Sequence, residues 1–217
     1  IMVVNEGKDV WEGVLKPSIA MPEAFLYDAF ENRCLIADKT PEGYHLKMYP
    51  LKSLFLVGGT CPDLPAELPT TGAEIPLQSW RRSTCEGAAY PAFSEPVATS
   101  LPDGERLAAE DATFSGFVRY DCTFDLPAPF QLLLTIEDAA EGVEVFLNET
   151  GYGIQIAPPM TYRLTGRAGV NHLRIEVATT LERACYPHLE GFQKFLAPVP
   201  SCASGLTGRV TLHVLTT

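Results

Sequence analysis

The sequence is poor in tryptophan, histidine and basic residues, and each shortage removes a class of function. Two tryptophans and four histidines among 217 residues supply no ladder of indoles for a polysaccharide surface and no pair of neighbouring histidines for a metal. Sixteen Lys and Arg stand against 27 Asp and Glu, a formal net charge of −11. That charge repels phosphate backbones and anionic lipid surfaces, so nucleic acid and membrane are not expected partners. No apolar run reaches the roughly 20 residues that cross a bilayer, and the N-terminus lacks the basic, apolar and small-residue regions of a signal peptide. The expectation is a soluble chain, cytoplasmic or secreted, and its opening on Ile1 rather than Met reads as a segment of a longer protein.

Specific catalytic signatures are missing too. Cysteines stand at positions 34, 61, 85, 122, 185 and 202 without a Cys-x-x-Cys pair or a Cys/His spacing that suits zinc. A chain of this length does not need disulfide staples, so buried free thiols are expected. There is no Gly-x-Ser-x-Gly elbow and no phosphate loop. No segment has a convincing amphipathic helical period, which leaves an all-β fold.

What the chain does have is core-forming text. Hydrophobic residues make up 46% and charged residues 20%, with a mean hydropathy of +0.05, enough to bury a substantial interior. From Gly116 the run FVRYDCTFDL sets Val118, Tyr120, Cys122, Phe124 and Leu126 on one face and Arg119, Asp121, Thr123 and Asp125 on the other. This period of two belongs to a half-buried antiparallel strand. Arg209 to Leu215 alternates in the same way, and further strands are expected at 130–136, 143–147, 161–164 and 173–177.

The organisation expected along the chain has three parts. Residues 1–59 carry strand-like pieces at 23–28, 34–38, 44–48 and 51–57 and form a small β-sandwich-like unit. Residues 60–76, with Pro62, Pro65, Pro69 and Pro76, form a linker that neither helix nor central strand tolerates. Residues 77–217 form an antiparallel β-sandwich whose first strand is Leu77 to Trp80, with Trp80 in the core. Two long irregular stretches interrupt it, one running on to Pro102 and one from Thr180 to Leu206.

An ordered series of residues in this last part resembles a known family. The series runs Phe114-Ser115-Gly116, Val118-Arg119-Tyr120 with Phe124, Val143 to Asn148, Gly153, Pro158-Pro159, Tyr162-Arg163-Leu164, Gly169-Val170-Asn171, Leu173 to Val177 and Thr179-Thr180-Leu181, closing on Ser204 to Val210. It is similar to the galactose-binding-like jelly-roll domain that accompanies glycoside hydrolases, particularly the sugar-binding domain of glycoside hydrolase family 2 and its counterparts in rhamnosidase-like enzymes. The first 59 residues look like the small β domain that joins such a jelly roll to a catalytic barrel. The resemblance implies that the catalytic acids lie on a barrel, so the catalytic domain of the same longer chain is an expected partner and no catalytic residue is expected here. Most matched positions read as fold punctuation, with Gly169 and Asn171 permitting a tight turn and Asn148 with Gly151 shaping a hairpin. The acidic segment Glu137, Asp138, Glu141 and Glu144 reads as a solvated loop.

Carbohydrate is the other expected partner. Sugar binding in β-sandwiches uses aromatic faces against pyranose C–H surfaces, with polar side chains reading hydroxyls. The candidates are Tyr152 in the hairpin and Tyr186, His188 and Phe192 in the long excursion. A structural calcium is compatible with the resembled fold, but no loop has a recognisable ligand spacing; no metal and no cofactor are expected. Three functions stay open: an accessory region supporting a glycosidase barrel or contacting glycan, an independent carbohydrate-binding module, and a fragment lending residues to a glycosidase active site.

Overall fold

The computed structural model describes residues 1–64, 70–196 and 204–216. The expectations for Cys202 as a free thiol and for Pro65, Pro69 and Pro198 in their irregular stretches lie outside the described residues. The chain divides into two compact units, Ile1–Thr70 and Thr71–Thr216.

The first unit contains β1 (Met2–Val4), β2 (Trp11–Leu15), β3 (Ala24–Asp28), β4 (Arg33–Ile36), β5 (Asp38–Thr40), β6 (Gly43–Met48) and β7 (Ser53–Gly58). They form a sheet of order β1-β7-β3-β4 and another of order β2-β6-β5. Alternation explains the core. Tyr44, Leu46 and Met48 of β6 point inward, and Leu26 of β3 and Leu56 of β7 meet them. The Tyr44 hydroxyl donates to the Met21 carbonyl at 2.6 Å, so the ring is buried without orphaning its polar end.

The second unit contains β8 (Thr70–Glu74), β9 (Gln78–Glu86), β10 (Val97–Ala98), α1 (Gly104–Glu110), β11 (Gly116–Leu126), β12 (Phe130–Ile136), β13 (Val143–Leu147), β14 (Thr150–Gln155), β15 (Met160–Gly166), β16 (Gly169–Ala178), α2 (Glu182–Cys185), α3 (Gly191–Leu196) and β17 (Val210–Thr216). A six-stranded sheet of order β10-β9-β11-β16-β13-β14 packs against a four-stranded sheet of order β15-β12-β17-β8. The pairings are antiparallel. This is the expected antiparallel β-sandwich. Its core takes Val118, Tyr120, Cys122, Phe124 and Leu126 from β11, as the alternation predicted, with Leu173, Ile175 and Val177 of β16 and Leu132, Leu134 and Ile136 of β12; Trp80 is also inside.

Three features differ from the sequence reading. The strand β8 lies within the stretch read as a linker; as the edge of its sheet it tolerates a following proline, because no ladder donor is needed there. The strand β9 runs well past Trp80 through Arg81 to Glu86, text polar enough to read as loop. It is a strand because Arg82 faces the interior and is satisfied there. Short helices form at α1, α2 and α3 where none was expected, since segments of one or two turns are too brief to display a 3.6-residue period.

A sealed polar network fastens α1 to the sandwich. The Asp103 carboxylate, with no exposed side-chain surface, accepts from Tyr120 Oη at 2.6 Å, Thr99 Oγ1 at 2.8 Å and Arg82 Nη1 at 3.1 Å. The other arm of Arg82 donates to Glu110 Oε2 at 2.6 Å, and the Leu206 amide donates to Tyr120 Oη at 3.1 Å. Burial, with the Asp103 carboxylate beside it, drives the Tyr120 phenol far above its ordinary pKa, so it remains a donor.

The matched glycines and asparagines have separable roles. Gly116 is needed because a β-carbon there would run into the Cys85 carbonyl of the neighbouring strand. Gly169 has φ 80°, a left-handed turn residue. Asn171 acts through its side chain instead: fully buried, it donates to the carbonyls of Arg167 at 2.7 Å and Gly169 at 2.9 Å and accepts from the Arg167 amide at 3.0 Å. Asn148 Nδ2 also donates to it at 2.9 Å, while Asn148 Oδ1 accepts from the His172 amide at 3.0 Å. Asn148 and Glu149, at φ 51° and 66°, make the two-residue turn of the β13–β14 hairpin.

The described cysteines are free. Cys85 and Cys122 are buried, Cys34 and Cys61 half-buried, and Cys185 exposed, so burial holds for two of the strands' thiols rather than throughout. Among the described residues no helix is long and apolar enough to cross a membrane, and no group of three or more His, Cys, Asp or Glu is arranged to hold a metal ion.

Candidate functional site

The outward face of the six-stranded sheet carries the densest gathering of charge described for the second unit. It follows from register. Arg119 of β11 stands opposite Glu176 of β16, and Asp121 stands opposite Arg174; on the other side of β16, Glu144 and Phe146 of β13 face Glu176 and Arg174. Residues directly opposite in an antiparallel pair share a face, so charges that alternate along each strand meet in the middle of the sheet.

They form one continuous network. Arg119 grips Asp121 with two parallel bonds, Nε to Oδ2 at 2.9 Å and Nη2 to Oδ1 at 3.1 Å. His172 Nε2 lies 3.0 Å from Asp121 Oδ1, and its Nδ1 lies 3.8 Å from Glu149 Oε1. Glu149 Oε2 is 3.2 Å from Arg174 Nη1, and Arg174 Nε is 3.5 Å from Glu176 Oε1. Tyr90 closes the chain by donating to Glu176 Oε2 at 3.1 Å. Arg174 Nε is buried without a hydrogen bond, while its guanidinium lies 4.1 Å from the Phe146 ring centroid.

Two irregular segments frame this face. The first is the stretch between β9 and β10, laid back over the sheet by Ser94, whose amide donates to the Thr84 carbonyl at 2.8 Å and whose Oγ accepts from the Thr84 amide at 3.0 Å. It sets Tyr90 against Phe117, with ring centroids 4.5 Å apart, and against Phe93 at 5.9 Å; Arg119 lies 5.7 Å from the Phe93 ring. The second is the Asn148–Glu149 turn. The Asn148–Asn171 amide pair fixes its tip, and so places Glu149 over His172 and Arg174.

The electrostatics favour holding over proton transfer. Burial, then the bond to Glu176, raises the Tyr90 pKa. Burial by itself lowers that of Arg119, but Asp121 reverses the sign and holds it above the ordinary value. Asp121, Glu149 and Glu176 are each set against cationic or hydroxyl groups of the same face. What remains available is an exposed aromatic, Tyr90 at 45% exposure, beside guanidinium and carboxylate edges. That pairing suits a polyhydroxylated molecule with an apolar face.

The four residues named from the sequence lie elsewhere. Tyr152 sits on β14, an edge of the six-stranded sheet, half-buried against the core, with its hydroxyl accepting from the Thr165 amide of β15 at 3.0 Å. Tyr186, His188 and Phe192 share the excursion between β16 and β17. Tyr186 and His188 form one 3₁₀ turn and Phe192 belongs to α3. Tyr186 is half-buried, while His188 and Phe192 are exposed, Phe192 at 73%. Bonds from Arg183 Nη1 to the Ala112 carbonyl at 3.3 Å and from the Ala184 amide to Ser115 Oγ at 3.2 Å tie the excursion down near the start of β11. The acids Glu137, Asp138 and Glu141 are exposed, as a solvated loop should be, whereas Glu144 lies half-buried within β13, where alternation puts it on the sheet's outer face.

Sequence reasoning missed Tyr90, Arg119, Asp121, Glu149, His172, Arg174 and Glu176 as members of one site. One signal was present: oppositely charged residues two apart on two strong strands, Arg119 with Asp121 and Arg174 with Glu176.

No family model matches the sequence, and no curated protein matches it. Among solved structures the chain is similar to a rhamnosidase from Novosphingobium sp. PP1Y, with a TM-score of 0.64 and 19% identity, over 98% of this chain and 22% of that one. It also matches a β-glucuronidase from Bifidobacterium dentium, with a TM-score of 0.47 and 19% identity over 69% of this chain and 31% of that one. A GH2 β-galacturonidase from Eisenbergiella tayi matches with a TM-score of 0.46 and 14% identity over 68% and 24% of the two chains. The likeness to the rhamnosidase is one of fold, and this chain spans about a fifth of that enzyme's length, at 22%.

Proposed function

We propose that this chain is a non-catalytic accessory region of a multidomain glycoside hydrolase, built around a galactose-binding-like jelly roll that supports the catalytic domain of the same longer chain or contacts its glycan. The observation that carries this reading is the fold match over 98% of this chain to a stretch amounting to 22% of a rhamnosidase. The carboxylates of Asp121 and Glu176 are engaged by arginine, histidine or tyrosine, which supports a binding role over a hydrolytic one. A second reading, an independent carbohydrate-binding module, draws support from the exposed Tyr90, packed on Phe117 and bonded to Glu176.

The test is an assay of the chain against aryl rhamnosides, galactosides, glucuronides and xylosides, together with calorimetric titration of the corresponding oligosaccharides. The accessory reading expects no turnover of any substrate. Turnover above the buffer rate, lost on replacement of a sheet-face carboxylate, would sink it. Saturable binding abolished by Tyr90→Ala favours the module; binding abolished instead by Tyr152→Ala or Tyr186→Ala moves the glycan contact to the hairpin or the excursion.

A further inference from the structure

A second place in the same sandwich is built as a pocket. Between the edge strand β8 and the start of β9 lies a cavity of about 640 Å³, within the roughly 300–1,000 Å³ of small-ligand sites. Its inner wall is apolar, formed by Leu77, Trp80 and Leu101, which also pack against the core. Its outer wall is polar, formed by Gln78, Ser79 and Ser100. All three residues are exposed to solvent. Glu74 and Arg209 stand at the rim and neutralise each other at 2.9 Å.

The backbone beneath the pocket is irregular. In the pairing of β9 with β11, Arg81 opposes Asp121 and Gln78 opposes Thr123, so β9 carries one extra residue and bulges. Ser79, in the bulge, has φ 57°, a left-handed conformation that costs a non-glycine residue on the order of 1 kcal/mol. Bulges of this kind re-aim side chains beside functional sites. Here the bulge lets Trp80 turn into the core while Gln78 and Ser79 line the cavity.

We infer that this cavity binds one neutral glycosyl residue, its apolar face against the Leu77–Leu101 wall and its hydroxyls on Gln78, Ser79 and Ser100. The inference rests on the proposal that this chain contacts glycan. The lining carries no uncompensated charge, because its acid and its base are paired with each other, and the net charge of −11 opposes an anionic sugar. The expected ligand is therefore a neutral pyranose rather than a uronate.

Trp80 lines the cavity and Trp11 is the other tryptophan, in the first unit. A Trp11→Phe chain thus reports on the pocket by fluorescence alone. Rhamnose, galactose and xylose, with glucuronate as the charged control, are titrated into that chain and into its Gln78→Ala, Ser100→Leu and Tyr90→Ala derivatives. The expected result is a saturable Trp80 signal with at least one neutral sugar, about five- to tenfold weaker in Gln78→Ala, as expected for one lost hydrogen bond. It should be absent in Ser100→Leu and absent with glucuronate. Circular dichroism identical to the parent certifies each variant as folded. No response to any neutral sugar overturns the pocket, and so does a response that survives Ser100→Leu or is matched by glucuronate. Calorimetric binding lost in Tyr90→Ala but intact in Ser100→Leu overturns the pocket while leaving the glycan-contacting reading standing; turnover of an aryl glycoside overturns the latter.

Discussion

Two polar networks hang from the same strand, β11, and face opposite ways. Tyr120 points inward to Asp103 and Arg82; its neighbours Arg119 and Asp121 point outward to His172, Arg174 and Glu176. Both contain arginine–carboxylate pairs of about the same length, 3.1 Å for Arg82–Asp103 and 2.9 Å for Arg119–Asp121. They differ in access to water. Asp103 has no exposed side-chain surface and Arg82 10%, whereas Arg119 and Asp121 keep 29% and 14% and Glu149, at the outer network's edge, 70%. An ion pair removed from water leaves a costly orphan when one partner is deleted, and an ion pair in contact with water does not. The inner network is therefore held by the fold and holds it in turn; the outer one meets water most freely at its edge, at Glu149.

The largest expected effect breaks the inner network. Asp103→Ala leaves the Arg82 charge and the Tyr120 hydroxyl short of a partner and is expected to cost about 3–5 kcal/mol in urea unfolding; a loss below 1 kcal/mol would erase the contrast between the faces. Next comes Asn171→Leu, which strips the donors and acceptors from the turn that positions Glu149. It should cost about 2–4 kcal/mol and release the Asn148–Glu149 tip, seen as faster hydrogen exchange at the His172 amide.

Alkali sharpens the comparison on the inner face. Burial, with a smaller contribution from Asp121, pushes the Cys122 thiol up from 9.0 to about 12. Between those values the unfolded chain releases a proton that the folded chain keeps, so stability is full below pH 9 and falls as pH rises toward 12. The slope from this group is about 1.4 kcal/mol per pH unit at most. Cys122→Ala should flatten that slope, and a profile indifferent to the substitution would mean that the thiol is not sealed. The smallest effect belongs to the outer face: Glu149→Gln should change stability by less than about 1 kcal/mol, and a larger loss would make the outer network structural as well.

The legible part of the fold was the part written locally. The alternation of Val118 to Leu126 gave β11 its inner face, and the same period exposed β17. The strand β9 was cut short because Arg81, Arg82 and Ser83 read as solvent text; only the carboxylates of Asp103 and Glu110, distant in sequence, make an inward arginine tolerable. The helix α1 was unreadable because a single buried leucine, Leu107, carries its packing. In the sheet-face site, the charges of Arg119, Asp121, Arg174 and Glu176 were visible, but their meeting was not. Tyr90 gave no signal, because it reaches the face through a loop whose path is set by bonds between Ser94 and Thr84.

Fold class, the inner faces of the main strands and a strongly negative net charge could be read from the chain, because backbone period and composition are local or additive properties. Which polar residues became neighbours was settled by folding. Cross-strand register, the bulge at Ser79 and the folding back of the Tyr90 loop depend on contacts between residues far apart in the chain, and no local pattern encodes those.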